Sequence, residues 1–215
     1  KFRKLPSSTR WSFPPRPQTH HVRWLEVDRT DPDRLYVAVE AGAFVRAESD
    51  GGDWHDHPNG ARRDNHAVLT HPDAPGRVYV AAGDGYAQSP DGGETWDYPE
   101  AGLEHGYVWG LAVDPGDPDR VFVSGAAGAY SAHRPDSAEA YLYRREDEHP
   151  WQRVGEEFTG EGSVRAVLAA PRPETVYAAT NRGLWGSSDA GESWQQLLGA
   201  WEGTAERRPQ GIVVV

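Results

Sequence analysis

Apolar and polar residues alternate in short runs along most of the chain, and no stretch sustains a 3.6-residue period. The runs RWLEV (23–27), HAVLT (66–70), VWGLAV (108–113) and VRAVLA (164–169) predict β-strands. Each precedes a proline-bearing turn: DRTDPDR, HPDAPGR, DPGDPDR and APRPET. A β-branched and aromatic run follows each turn. Three segments then repeat one pattern: LYVAVEAGAFVRAESDGGDW (35–54), VYVAAGDGYAQSPDGGETW (78–96) and VYAATNRGLWGSSDAGESW (176–194). A divergent copy opens at VFVSG (121–125) and closes at YLYRREDEHPW (141–151).

The unit is therefore strand A, proline turn, strand B, glycine turn, strand C, polar turn, and strand D near a tryptophan. The closing tryptophans are Trp54, Trp96, Trp151 and Trp194, at spacings of 42, 55 and 43 residues. Four short strands in roughly 43 residues fit a β-propeller blade better than the alternative β-sandwich. The expected architecture is all-β: four complete four-stranded antiparallel blades, with a partial fifth, in one domain spanning 1–215. The expected blades are 22–57, 65–100, 107–154 and 163–198, with almost no helix. Residues 126–140 are an insertion in the B–C turn of the third blade, readable as a lid carrying His133 and Arg134 or as a mobile surface loop.

Composition narrows the function classes. Among 215 residues, 33 are acidic and 22 basic, giving a net charge of −11, which argues against nucleic acid and anionic membranes as partners. Cysteine is absent, so disulfides, thiolate metal sites and cysteine nucleophiles are excluded. No apolar run approaches the roughly 18 residues of a membrane span. Nine tryptophans argue against disorder despite a mean hydropathy of −0.74. Of the basic residues only Lys1 and Lys4 are lysine, a bias compatible with a salt-adapted surface. The chain begins without Met or an apolar leader, and a cytoplasmic location is the default expectation.

The polar turns carry a specific resemblance. Ser89, Asp91, Gly93 and Trp96 fit S-x-D-x-G-x-x-W, as do Ser187, Asp189, Gly191 and Trp194. The first unit keeps only Gly51 and Trp54, and the third only Trp151. The chain resembles the BNR/Asp-box repeat β-propellers, of sialidase-like and YVTN/BNR-like type, many of them labelled BNR-repeat glycosyl hydrolases. The resemblance implies a peripheral, structural role for these boxes. Turn chemistry agrees. The Asp accepts local N–H groups, the Gly takes a left-handed position, and the Trp wedges between sheets with its N–H on a carbonyl.

Blade connectivity places B–C turns and D–A connections on one face, where a ligand is expected. The candidate ligand-binding residues there are His20, His21, Arg23, His66, Tyr86, His105, Tyr107, Trp109, Arg165 and Asn181. Glu40 and Asp84, acids at two adjacent B–C turns, are the candidate catalytic pair. Glycoside hydrolysis needs two carboxylates about 5 Å or 6.5–9.5 Å apart. The histidines allow a divalent metal, but no H-x-x-H spacing supports it, so no metal ligand is assigned and no cofactor is expected. Each histidine can equally cap a strand start and be satisfied by backbone. Arg23 and Arg165 lack a third arginine, and there is no Arg-Ile-Pro segment, so a classical sialidase site is not expected. His55, His57 and His71, and the run Arg144–Glu148, are expected at the surface.

These features suggest a binding scaffold for a small molecule, glycan or protein. The alternative is a glycoside hydrolase or lyase acting on a polyhydroxylated substrate. The ends, 1–21 and 210–215, read as parts of one blade, with Gly211–Val215 as a strand A. A larger ring, or self-association through open blade edges, is the corresponding expectation.

Overall fold

The computed structural model describes residues 19–48, 53–201 and 208–215. The segment Lys1–Trp11, expected to supply a strand C, lies outside the described residues. The chain divides into two units, 1–98 and 99–215.

The first unit holds two sheets. One runs β1 (His21–Val27), β2 (Leu35–Glu40), β3 (Phe44–Glu48) and β4 (Asp53–Asp56), antiparallel and in chain order. The other runs β5 (Asn65–Thr70), β6 (Val78–Ala82) and β7 (Gly85–Ser89). Its fourth strand, expected in full, is reduced to one bridge between Gln88 and Asp97. Pro99 follows two residues later and has no N–H to continue a ladder. Strand alternation sorts the core. Tyr36, Ala38 and Phe44 pack on Val68, Val78, Val80 and Ala82 of the second sheet, with Trp96 against them. Val37, Val39, Ala43 and Val45 form a separate cluster with Trp54.

The second unit repeats the arrangement. Its first sheet is β8 (Tyr107–Asp114), β9 (Asp117–Ala126), β10 (Glu139–Arg145) and β11 (Gln152–Val154), with β12 (Gly160–Glu161) beside the start of β10. The next is β13 (Val167–Arg172), β14 (Thr175–Thr180), β15 (Gly183–Ser187) and β16 (Gln195–Leu198). Phe122 and Leu142 pack on Phe158, Leu168, Val176 and Ala178. The proline turns here are tighter than expected: Asp114 pairs with Asp117, and Arg172 with Thr175.

Both S-x-D-x-G-x-x-W turns close identically. Ser89 Oγ accepts the Gly93 N–H at 2.8 Å and donates to Asp91 Oδ1 at 2.8 Å. Asp91 then accepts the Thr95 N–H at 2.8 Å and its hydroxyl at 2.6 Å. Ser187, Asp189, Gly191 and Ser193 reproduce all four bonds. Desolvation raises the Asp91 carboxyl, but the bonds from Thr95, Ser89 and Glu94 outweigh it and bring the pKa to about 2. Bonds from Ser193 and Ser187 bring Asp189 to about 2 as well. Trp194 donates its indole N–H to the Gly191 carbonyl at 3.2 Å. Trp96 departs from expectation, because its buried indole N–H has no hydrogen-bond partner among the described residues. Its ring instead meets Phe44 edge-on at 4.9 Å.

Each box is gripped by an arginine of the preceding sheet. Arg46 on β3 donates to the Gly92 carbonyl at 3.2 Å and pairs with Glu94 at 3.4 Å. Arg144 on β10 donates to the Ala190 carbonyl at 2.9 Å and pairs with Glu192 at 2.6 Å. Arg144 and Arg145 are therefore buried, not part of an exposed charged turn.

Four further expectations are corrected. His71 is buried, its Nδ1 accepting the Asp73 N–H, because the turn folds back over it. His57 is half-buried and bonded through Nε2 to the Gly42 carbonyl at 3.1 Å, whereas His55 is exposed as expected. Gly211–Val215 forms no strand, and Val213 and Val215 are exposed. The insertion is not a loose loop: it contains a short helix, α1 (Ala129–His133), and a 3-10 turn, Pro135–Ser137.

Candidate functional site

The D–A connections are held between the B–C turns on either side of them. In the first unit, the crossing before β5 is gripped from both sheets. The Ala41 N–H donates to Asp64 Oδ1 at 2.6 Å, and the Gly42 N–H to the Arg63 carbonyl at 2.8 Å. From the other side, Asp84 accepts the N–H groups of Arg63 and Asp64 at 3.2 and 3.3 Å. In the second unit, Asn181 accepts the Val164 N–H and donates to the Gly162 carbonyl, both at 2.9 Å. Arg182 donates to the carbonyls of Thr159 and Glu161. Asp84 and Asn181 thus build the face.

Other candidates in the first unit form two small groups. His21 Nδ1 lies 3.4 Å from Glu40 Oε2, and Arg23 Nε 3.9 Å from the same oxygen. Register explains this, since His21 pairs with Glu40 across β1 and β2. His66 is buried with Nε2 3.6 Å from Asp64 Oδ1. Tyr86 is buried and its hydroxyl donates to Gln88. His20 is exposed just before β1.

In the second unit the candidates separate. His105 shares a 2.6 Å hydrogen bond with the Tyr143 hydroxyl and packs on Tyr141, whose other neighbour is the Arg153 guanidinium, 4.0 Å from its centroid. Desolvation, then the Arg153 charge, holds the His105 pKa below its usual value. Tyr107, Trp109 and Arg165 come together around the insertion. Arg165 is 2% exposed, with its guanidinium 4.7 Å from the Trp109 ring and bonded to the Pro209 carbonyl. His133 meets Trp109 edge-on at 4.3 Å and shares a 3.2 Å hydrogen bond with the Tyr107 hydroxyl. The Arg165 N–H donates to the Ala132 carbonyl, and the Gly162 N–H to Ala138.

That anchoring creates a cleft of about 320 Å³ lined by Pro135, Asp136, Ser137, Ala138, Glu139, Glu161 and Gly162. Glu139 and Glu161 are direct partners across β10 and β12. The Tyr141 hydroxyl donates to Glu139 at 2.8 Å. None of the three acids was a sequence candidate. The insertion's length is the signal in the sequence, but its titratable residues there point to His133 and Arg134. Among the described residues, no group of three or more His, Cys, Asp or Glu is arranged to hold a metal ion. No described helix is long and apolar enough to cross a membrane.

A scan against protein-family models finds no match. A xyloglucanase from Paenibacillus sp. is 30% identical over 96 residues, covering 40% of this chain and 9% of that protein. An ancestral GH74 enzyme superposes with a TM-score of 0.64 at 18% identity, over 82% of this chain and 24% of its own. An extracellular domain from B. thetaiotaomicron gives 0.58 at 11% identity, over 82% and 22%. An oligogalacturonate lyase in complex with manganese gives 0.57 at 8%, over 82% and 52%. This chain is thus much shorter than these relatives. The likenesses support a β-propeller fold.

Proposed function

We propose that this chain is part of a glycan-acting propeller of BNR/Asp-box type, hydrolase- or lyase-like. The observation that carries this reading is the concave, carboxylate-lined cleft of the second unit, beside exposed aromatic surface on the face where propellers meet ligands. The partial likeness to a xyloglucanase favours the same reading. Of the two B–C acids, Asp84 is occupied by the crossing it holds. Glu40, beside His21 and Arg23, is the better candidate for acid–base work. The occupied state of Asp84 favours, as a second reading, a binding module without turnover.

A panel of polysaccharides separates these readings. Reducing-end release, lost in Glu40→Gln, supports hydrolysis. Unsaturated products absorbing in the ultraviolet support a lyase. Binding without products supports the module, and neither binding nor products across the panel overturns the glycan reading.

A further inference from the structure

The insertion carries more ligand chemistry than the cleft alone. Its helix is anchored by the buried Ala132 and by His133 on Trp109, so the rest of the segment is presented in a fixed pose. That pose leaves Tyr130 67% exposed, with the Arg134 guanidinium 4.3 Å from its centroid over one face. A solvent-facing aromatic ring with a cation on one face and open space around the rest is a stacking platform. The cleft follows directly in sequence, from Pro135 to Glu139, and is completed by Glu161 and Gly162. Its volume reaches the range of small-molecule sites, which starts near 300 Å³. Its polar groups are the Ser137 hydroxyl and carboxylates, which accept hydrogen bonds from sugar hydroxyls.

The lining also offers donors. Arg182, bonded to the carbonyls of Thr159 and Glu161, brings its guanidinium to the Gly162 edge of the cleft, so acceptors and donors both face a polyhydroxylated ligand.

We infer that the insertion is a saccharide subsite, with Tyr130 stacking one ring and the Pro135–Glu139 cleft holding the hydroxyls of the next. The inference rests on the glycan reading above and adds a stacking residue and a minimum ligand of two rings.

The test is calorimetric titration of the whole chain with a glucose tetrasaccharide and a tetrauronate. Wild type should bind at least one of them. Tyr130→Ala, which alters an exposed side chain, should weaken that binding about tenfold with an unchanged melting temperature. Glu139→Ala combined with Glu161→Ala, which removes acceptors from the cleft, should weaken it as well. Binding that is indifferent to Tyr130→Ala overturns the subsite and leaves the glycan reading standing. Binding of neither probe overturns the subsite, and only failure of the wider polysaccharide panel overturns the reading beneath it.

Discussion

Arg144 Nη2 lies 2.6 Å from Glu192 Oε1 while its Nη1 donates to the Ala190 carbonyl, so one side chain on β10 holds the polar turn of the next sheet. Arg144 is buried, whereas Glu192 is largely exposed. Loss of the arginine therefore matters more than loss of the glutamate. Arg144→Ala should cost about 1–3 kcal/mol in urea unfolding, because it removes charge-assisted bonds and leaves a carbonyl unpaired. Glu192→Gln should cost about 1 kcal/mol or less, as an exposed pair does. Equal costs would contradict this assignment.

Gly191 sits at φ +82°, and a Cβ there would come within 2.8 Å of Phe122 Cε1. Gly191→Ala should destabilise by about 1–3 kcal/mol through backbone strain and overpacking. Gly93 has φ +88° and a Cβ contact of 3.2 Å with Phe44, so its alanine variant should cost less. Melting temperatures of the two variants give the order.

The boxes also predict an acid response. Asp91 and Asp189 fall from an ordinary 3.8 to about 2 in the folded chain. A depressed folded value stabilises the fold above the unfolded pKa, and this contribution fades as pH drops from about 4 toward 2. The double variant Asp91→Asn, Asp189→Asn should be less stable at pH 7 and show a flatter stability profile between pH 4 and 2. Chemical denaturation across that window measures it.

Glu26 has the opposite sign. Desolvation raises its pKa, although the Thr70 N–H and hydroxyl donate to it at 3.1 and 3.0 Å. A raised folded value favours folding while the carboxyl is protonated and penalises it once ionised. Glu26→Gln, which retains an acceptor for Thr70, should match or exceed wild-type stability at pH 7. The advantage should close below pH 4.5. A clear loss of stability at pH 7 would reject this account.

Strands and their order were legible because their signals are local. Tyr36, Ala38, Val78 and Val80 belong to short β-branched and aromatic runs buried on both faces, and the tryptophans mark the repeat. The polar turns were legible too, since Ser, Asp and Gly act within four residues. What escaped depends on distant partners. Arg144 reads as an exposed charge until Ala190 is placed beside it. Asp84 reads as a free acid until the Arg63 and Asp64 N–H groups arrive. The pairing of Glu139 with Glu161 spans 22 residues and a second connection, so no spacing rule reveals it. Pro99 truncates a strand the repeat predicts, a local signal outweighed by the expectation of regularity.

The two gripping arginines and the two complete boxes alternate along the chain. The sheets that supply Arg46 and Arg144 lack complete boxes, and the sheets that carry the boxes have Gln88 and Gly186 at the arginine position. Complementary halves of one joint lie on successive sheets, much as a tenon and its mortise. Within each unit the joint is therefore shared: neither sheet carries both halves, and a single sheet taken alone would leave either a buried arginine or a polar turn without its counterpart.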